Sequence, residues 1–259
     1  MKNKHTYFIL GIVFIFVLWE VLSVLSNNDF IVPSIELTLS ALGKTFINKD
    51  TYGVLLNTLL RLFLSILVCF ILGVSLAVFS NISYRFKSFI KPIIVLSKTM
   101  PMAAVIIMLL VMFGRSNSPY FIVGVVVLPL IYEATLNGLE GIDKDIKDEI
   151  KLLSNNNFFI FKNIYLPLTS PAIFTSLIQS VGLGLKVLVM AEFIAETKNS
   201  IGQLMRYYKN IAETEYVFAW SIILVLFILL VDSILNILKK KSLVWFKIRF
   251  LYLYCQKMG

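Results

Sequence analysis

Ionisable side chains inside apolar segments are the residues of this sequence that could do chemistry. Four carboxylates occur in or near apolar stretches: Glu20, Glu133, Glu192 and Asp232. Lys186 lies six positions before Glu192 in a segment rich in small residues. Ionisable groups in a membrane segment are costly and often line the path of a solute or an ion. Lys186 and Glu192 are therefore candidates for a solute pathway.

A structural role is the alternative for both residues. Six positions correspond to about 240° around a helix, so Lys186 and Glu192 are not expected to face each other. Lys186 would then pair with a group on a neighbouring helix, and Glu192, near one end of its segment, would face a partner helix. Spacing alone leaves these alternatives open.

Familiar hydrolytic, nucleotide and metal motifs are absent from the sequence. His5 is the only histidine, which excludes His-dependent nucleophilic sites and the common zinc motifs. Residues 43–45 read Gly-Lys-Thr like the end of a phosphate-binding loop, but Thr38 stands where that motif requires glycine. The two cysteines lack metal-type spacing and are not expected to pair. No catalytic residue, metal site or cofactor is predicted.

The composition indicates a membrane protein. Of the 259 residues, 58% are hydrophobic and 15% are charged, and the mean hydropathy is +0.85. Six apolar stretches reach or approach the roughly 20 residues that cross a hydrocarbon core as a helix. The predicted fold is all-α, a polytopic membrane bundle of about six transmembrane helices. Their predicted bounds are 7–25, 56–79, 93–113, 120–139, 171–195 and 217–238.

The basic residues predict the orientation of the chain. They precede the first span, lie between the second and third spans, and follow the sixth. The positive-inside rule places this side in the cytoplasm, which predicts a multi-pass protein of the cell membrane with both termini cytoplasmic. The net charge of +9 follows this pattern and does not indicate nucleic acid binding. A short interfacial helix is predicted at 34–46, in the first outer loop.

The segment between the fourth and fifth spans is charged and amphipathic. Apolar residues recur from Ile142 to Leu153 at the spacing of one helix face, and the run Ser-Asn-Asn-Asn ends that helix. A second short helix, with Phe158 and Phe161 on one face, is predicted to end at Pro167. The two helices could lie on lipid headgroups or present a helix to a soluble partner. Phe158 could anchor such a docked helix or pack beneath the bundle.

This segment resembles the EAA loop of binding-protein-dependent ABC importer permeases. Counting back from Leu166 and Pro167 places residues 148–150 on the acidic and two small positions of that motif, and Ser154 on its glycine. Other stretches occur in the family's order and resemble its nitrate, sulfonate and taurine branch, which also includes permeases for thiamine precursors. These stretches are LWEVL, IVPS, NTLLRLFLSILVCFILGVSLAV, KTMPMAAVIIMLLVMFG, NGLEGID and VLVMAEFIAETKNSIGQLM.

The resemblance implies a transport subunit without its own ATPase site. It implies one permease domain over 1–259, with a core at about 52–238, a cytoplasmic coupling loop at 140–168 and a basic cytoplasmic tail at 239–259. The implied assembly is a homodimer in lipid that works with a cytoplasmic ATP-binding subunit and an extracytoplasmic solute-binding protein. The implied solute is a sulfonate-, nitrate- or taurine-like anion, or a heterocycle like a thiamine precursor. The residues expected to couple to the ATPase are Asp148, Glu149, Leu153, Ser154, Phe158, Phe161, Leu166 and Pro167.

A break in the third span is a further candidate for the solute pathway, beside Lys186 and Glu192. Lys98, Met100 and Pro101 lie near its cytoplasmic start, where Pro101 cannot supply a helical N–H. They could line an inner gate, although Lys98 could instead snorkel to the surface. Two other functions remain as alternatives. One is an ion-gradient-driven secondary transporter, and the other is an integral-membrane enzyme, which would need clustered acidic or His residues.

Overall fold

The structure, a computed structural model, describes the backbone of residues 2–143 and 164–258 and the side chains of residues 6–143, 164–237 and 239. All regular secondary structure within these ranges is helical. The helices there are α1 (Lys2–Ser26), α2 (Ile35–Ile47), α3 (Lys49–Ile82), α4 (Tyr84–Thr99), α5 (Met102–Glu140), α6 (Leu166–Ala195), α7 (Ile201–Asn210) and α8 (Thr214–Met258).

The helices confirm a polytopic membrane bundle. Five of those in the described ranges are long and apolar enough to cross a membrane: α1, α3, α5, α6 and the first half of α8. The short helix predicted at 34–46 is present as α2. Ser34 caps it by accepting a hydrogen bond from the Leu37 N–H (3.3 Å), which satisfies one of the donors left open at a helix start.

The third predicted span, 93–113, is not a single helix. Helix α4 ends at Thr99, Met100 adopts extended angles (φ −63°, ψ 134°), and α5 begins at Met102. Pro101 explains the interruption, because it lacks an N–H and disfavours the helical region for the residue before it. The predicted break is therefore real, and it separates two helices.

The fourth predicted span, 120–139, lies within α5. The helical run begins earlier, at Met102, and a kink at Gly114 (φ 72°, ψ 176°) divides it into two helices, 102–113 and 115–140. Such angles are accessible only to glycine at low cost. The predicted bounds leave residues 114–119 between the third and fourth spans, and the backbone departs from helical geometry there only at Gly114.

The first of two compact units comprises residues 1–59 and 192–227. Trp19 of α1 is central to its packing. The Trp19 indole Nε1 donates a hydrogen bond to the Pro33 carbonyl oxygen (3.0 Å), and its ring centroid is 5.5 Å from that of Phe218 in α8. These contacts hold α1 against the turn before α2 and against the start of α8.

The second compact unit comprises residues 60–191 and 228–259. Helices α3, α4 and α5 share a buried apolar cluster, and the Tyr132 hydroxyl donates a hydrogen bond to the Ser80 Oγ at its edge (3.0 Å). This bond satisfies both hydroxyls away from water, where an unpaired polar group would be expensive. The cluster consists of Ala77, Ile90, Ile94, Tyr132 and Leu136.

Candidate coupling base and solute pathway

Most of the predicted coupling residues lie outside the described residues. These are Asp148, Glu149, Leu153, Ser154, Phe158 and Phe161. Leu166 and Pro167 are described, and both lie in the first turn of α6. Pro167 was predicted to end a loop helix, but instead it lies at the start of a helix that continues to Ala195. A proline is tolerated there because the first N–H groups of a helix have no intrahelical partner.

Helices α5 and α6, which flank segment 144–163, pack closely against each other. A Cβ at Gly138 of α5 would lie 2.6 Å from the Thr169 Cγ2 of α6 and 3.2 Å from the Ala172 Cβ. Carbon atoms in favourable contact are about 3.5–4.0 Å apart, so only glycine fits without displacement. We call these three residues the loop base. Through the loop base, the helix that enters the segment touches the helix that leaves it.

A lysine of α4 holds the last residue of α5. Lys87 Nζ forms an ion pair with Glu140 Oε1. One turn further along α4, Ile90 joins the buried cluster that also contains Leu136 of α5. The end of α5 is therefore fastened to α4 by charge and by apolar packing, and to α6 through the loop base.

Lys98, a predicted gate residue, forms an ion pair with Glu133 of α5. Lys98 Nζ is 2.9 Å and 2.7 Å from the two Glu133 carboxylate oxygens. The pair lies beside the break at Met100 and Pro101, and its side chains are 51% and 38% exposed. Such an accessible pair contributes modestly to stability. Its residues are 35 positions apart, so no local spacing in the sequence could reveal it.

Lys186 lies on an exposed stripe of α6. The stripe also contains Gln179, Leu183 and Met190, at the alternating spacing of three and four residues that marks one helix face. Leu188, on the opposite face, is fully buried. No described residue forms an ion pair with Lys186. A cation is thus presented on the exposed face of α6.

Glu192 is fully buried, within the first unit. The Thr58 hydroxyl lies 3.0 Å and 3.2 Å from its carboxylate oxygens, and the Gly202 N–H donates to Oε2 (3.4 Å). The Ile201 N–H donates in turn to Thr58 Oγ1 (3.1 Å). The carboxylate therefore sits at the N-terminus of α7, where the helix dipole favours negative charge. This network links α3, α6 and α7.

Arg206 of α7 is a residue that the sequence did not single out. Its Nη1 donates to the carbonyl oxygens of Phe193 (3.2 Å) and Ile194 (3.3 Å), and its Nη2 lies 2.7 Å from Glu196 Oε1. The last carbonyl groups of a helix lack intrahelical hydrogen-bond donors. The Arg206 guanidinium donates to two of these carbonyl groups at the end of α6. The end of α6 is thereby held against α7 at a second point.

The arrangement is suited to positioning and recognition. No group of three His, Cys, Asp or Glu side chains in the described part of the chain could hold a metal ion. The features that stand out are mechanical or electrostatic: a loop base that joins two spans, a break flanked by an ion pair, and an exposed cation on α6.

Comparison with known proteins identifies relatives. A family model described as "Binding-protein-dependent transport system inner membrane component" matches residues 69–243. A putative ABC transporter permease protein of Methanocaldococcus jannaschii is 25% identical over 236 residues, which cover 89% of this chain and 88% of that protein. A putative aliphatic sulfonates transport permease protein of Bacillus subtilis is 24% identical over 233 residues, 89% of this chain and 84% of that protein. The glycine betaine/proline betaine transport system permease protein of Escherichia coli is 25% identical over 149 residues, 57% of this chain and 42% of that protein.

Proposed function

The chain belongs to the family of binding-protein-dependent transport system inner membrane components, and on that premise we propose that the solute it carries is a small anion of the sulfonate type. As a member of this family it is the multi-pass membrane permease of an ABC importer. Such permeases generally work with a separate ATP-binding protein and a substrate-binding protein.

The exposed cation on α6 is the observation that carries the anion proposal. Lys186 lies nine positions before Ala195, the nearer end of α6, about 14 Å along the helix at 1.5 Å per residue. A charged side chain this far inside a span needs water, a counter-charge or a solute. Sulfonate, nitrate and taurine each present an anionic group to such a lysine. The B. subtilis relative named for aliphatic sulfonates supports this class of solute.

Coupling to ATP hydrolysis is proposed to run through segment 144–163. The contact between Gly138 and Thr169 supports this route, because a force on the segment would reach α5 and α6 together. Packed elements respond to such a force by shifting between discrete arrangements. With both termini in the cytoplasm, as the basic residues predict, the segment would face the ATP-binding subunit.

The proposed assembly is a homodimer in lipid, in which each chain contributes one permease domain over 1–259. Large apolar side chains are exposed along α1, with Phe8 69% and Phe14 65% accessible in the single chain. Lipid chains, and a second copy of the chain, would cover such surfaces. The solute-binding protein would deliver the anion from the outer side.

An ATPase assay tests the coupling proposal. The permease would be reconstituted with its ATP-binding subunit and binding protein, and solute-stimulated ATP hydrolysis would be measured. The Leu153→Glu/Phe158→Glu variant is expected to lose this stimulation, because charge is disfavoured in an apolar docking groove. The control is Phe30→Glu, since Phe30 is 66% exposed in the loop before α2. Full stimulation of the double variant would refute the assignment of this segment.

An uptake assay tests the anion proposal separately. Lys186→Met is expected to raise the KM for alkanesulfonate uptake at least about tenfold, as loss of one charge-assisted hydrogen bond implies. Lys186→Arg keeps the charge and serves as the matched control. An unchanged KM in Lys186→Met would contradict a role for this cation, whatever the ATPase assay shows.

A further inference from the structure

A cavity of about 310 Å³ lies within the first unit, and neither the loop base nor Lys186 lines it. It is bounded by the end of α2, the start of α3, the middle of α7 and the start of α8. Small-molecule sites span roughly 300–1,000 Å³, so this space suits a small polar group. The residues that matter here are Lys44, Asn48, Asp50, Tyr208, Tyr216 and Trp220.

Two opposite charges line the cavity without neutralising each other. Neither the Lys44 ammonium nor the Asp50 carboxylate forms an ion pair with any residue in the described ranges. Asn48 lies between them in sequence, and its side-chain Oδ1 accepts a hydrogen bond from the Asp50 N–H (3.0 Å). This bond leaves the amide NH2 of Asn48 available as a further donor. Both side chains are exposed, so a ligand that carries both an anion and a cation can pair with the two charges in place of water.

Aromatic side chains form another part of the lining. Tyr208 and Tyr216 stack with ring centroids 4.5 Å apart and an interplanar angle of 12°, and Trp220 is only 1% exposed. Aromatic faces attract ammonium groups. Burial, followed by the charges of Tyr216 and Glu213, raises the pKa of Tyr208. A tyrosine phenol is protonated at neutral pH even with the usual pKa of about 10, so the Tyr208 hydroxyl can donate to an anion.

We propose that this cavity binds a zwitterionic group, with its anion at Lys44 and its ammonium at Asp50 and the aromatic rings. The headgroup of phosphatidylethanolamine and a free zwitterionic solute share this chemistry. The surroundings favour the lipid as the source, because large exposed apolar side chains flank the cavity residues in sequence. Ile47 is 83% exposed, Tyr52 54% and Leu56 58%, and they offer a surface for acyl chains beside the headgroup.

Lipid retention tests whether the bound zwitterion is a phospholipid headgroup. The full chain would be purified in non-ionic detergent, exposed to equal amounts of phosphatidylethanolamine and phosphatidylglycerol, and analysed by native mass spectrometry. We expect preferential retention of phosphatidylethanolamine, reduced at least about tenfold in Lys44→Gln and in Asp50→Asn. The matched controls are Lys49→Gln and Glu36→Gln, which remove charges nearby in sequence that do not line the cavity.

Calorimetric titration with phosphorylethanolamine and with glycine betaine tests whether the bound zwitterion is a free solute. Binding of either compound with the same dependence on Lys44 and Asp50, but without a lipid preference, supports the zwitterion site and assigns it to a free solute. No binding of lipid or soluble zwitterion would overturn the proposal. Binding that is equal in the cavity variants and the controls would overturn it too. Unchanged unfolding midpoints would show that these surface variants fold.

Discussion

Gly138 of α5 and Thr169 of α6 approach each other so closely that a Cβ at position 138 would lie 2.6 Å from the Thr169 Cγ2. The contact is six residues before segment 144–163 on one side and six residues after it on the other. It makes the two flanking helices a single mechanical element at that point, because close-packed groups transmit displacement instead of absorbing it.

The first prediction follows from this contact. Gly138→Ala should force α5 and α6 apart at the loop base and lower the stability by about 1–3 kcal/mol, as overpacking does. It should also reduce solute-stimulated ATP hydrolysis in the reconstituted transporter. Thermal unfolding in detergent and the ATPase assay would measure the two effects.

Its control is a second glycine of the same helix. At Gly124 a new Cβ would be 3.8 Å from the nearest atom, Cys69 Sγ, so Gly124→Ala should be neutral or slightly stabilising. Adding Thr169→Ser to Gly138→Ala removes the clashing methyl group and should restore part of both losses. Equal behaviour of the two glycine variants would show that the contact is not tight in solution.

The second prediction concerns the ion pair that joins α4 to α5 beside the proline break. Lys98→Glu places two carboxylates together and should lower the stability by about 1 kcal/mol, because the pair is partly exposed and screened. Exchange of the two charges, Lys98→Glu with Glu133→Lys, should recover most of that loss. A double-mutant cycle on the unfolding midpoint measures the coupling. Strictly additive effects would mean that the pair does not form.

Local patterns in the sequence predicted the long apolar helices, but not all of the helix bounds and not the contacts between helices. Apolar length predicted the spans, and the missing N–H of Pro101 predicted the break, because both depend on neighbouring residues. Thr58 and Glu192 are 134 positions apart, and the proximity of Gly138 to Thr169 depends on how two helices pack. Such contacts arise only after folding, when distant segments meet. The sequence could therefore mark Glu192 as unusual without revealing its donors.

The third prediction concerns the buried network around Glu192. Thr58→Val removes both the donor to the carboxylate and the acceptor for the Ile201 N–H, which should cost about 1–3 kcal/mol. Thr58→Ser keeps the hydroxyl and is the matched control. Hydrogen exchange at Ile201 and Gly202 should become faster in the valine variant only. Unchanged protection at the start of α7 would argue that other groups carry the network.

The fourth prediction uses the environment of Tyr208. Burial first, and then the neighbouring Tyr216 and Glu213, raise its pKa above the usual value of 10.0. The folded chain thus keeps this proton at a pH where the unfolded chain releases it. The resulting contribution to stability is complete below about pH 10 and is lost as the pH rises through the raised pKa. Tyr208→Phe should therefore lose less stability than the unaltered protein at alkaline pH.

Unfolding midpoints between about pH 8 and pH 11 measure the difference. The control is Tyr84→Phe, at an 82% exposed position. Identical alkaline profiles for the protein and the Tyr208→Phe variant would refute the effect of the partly buried setting on this phenol.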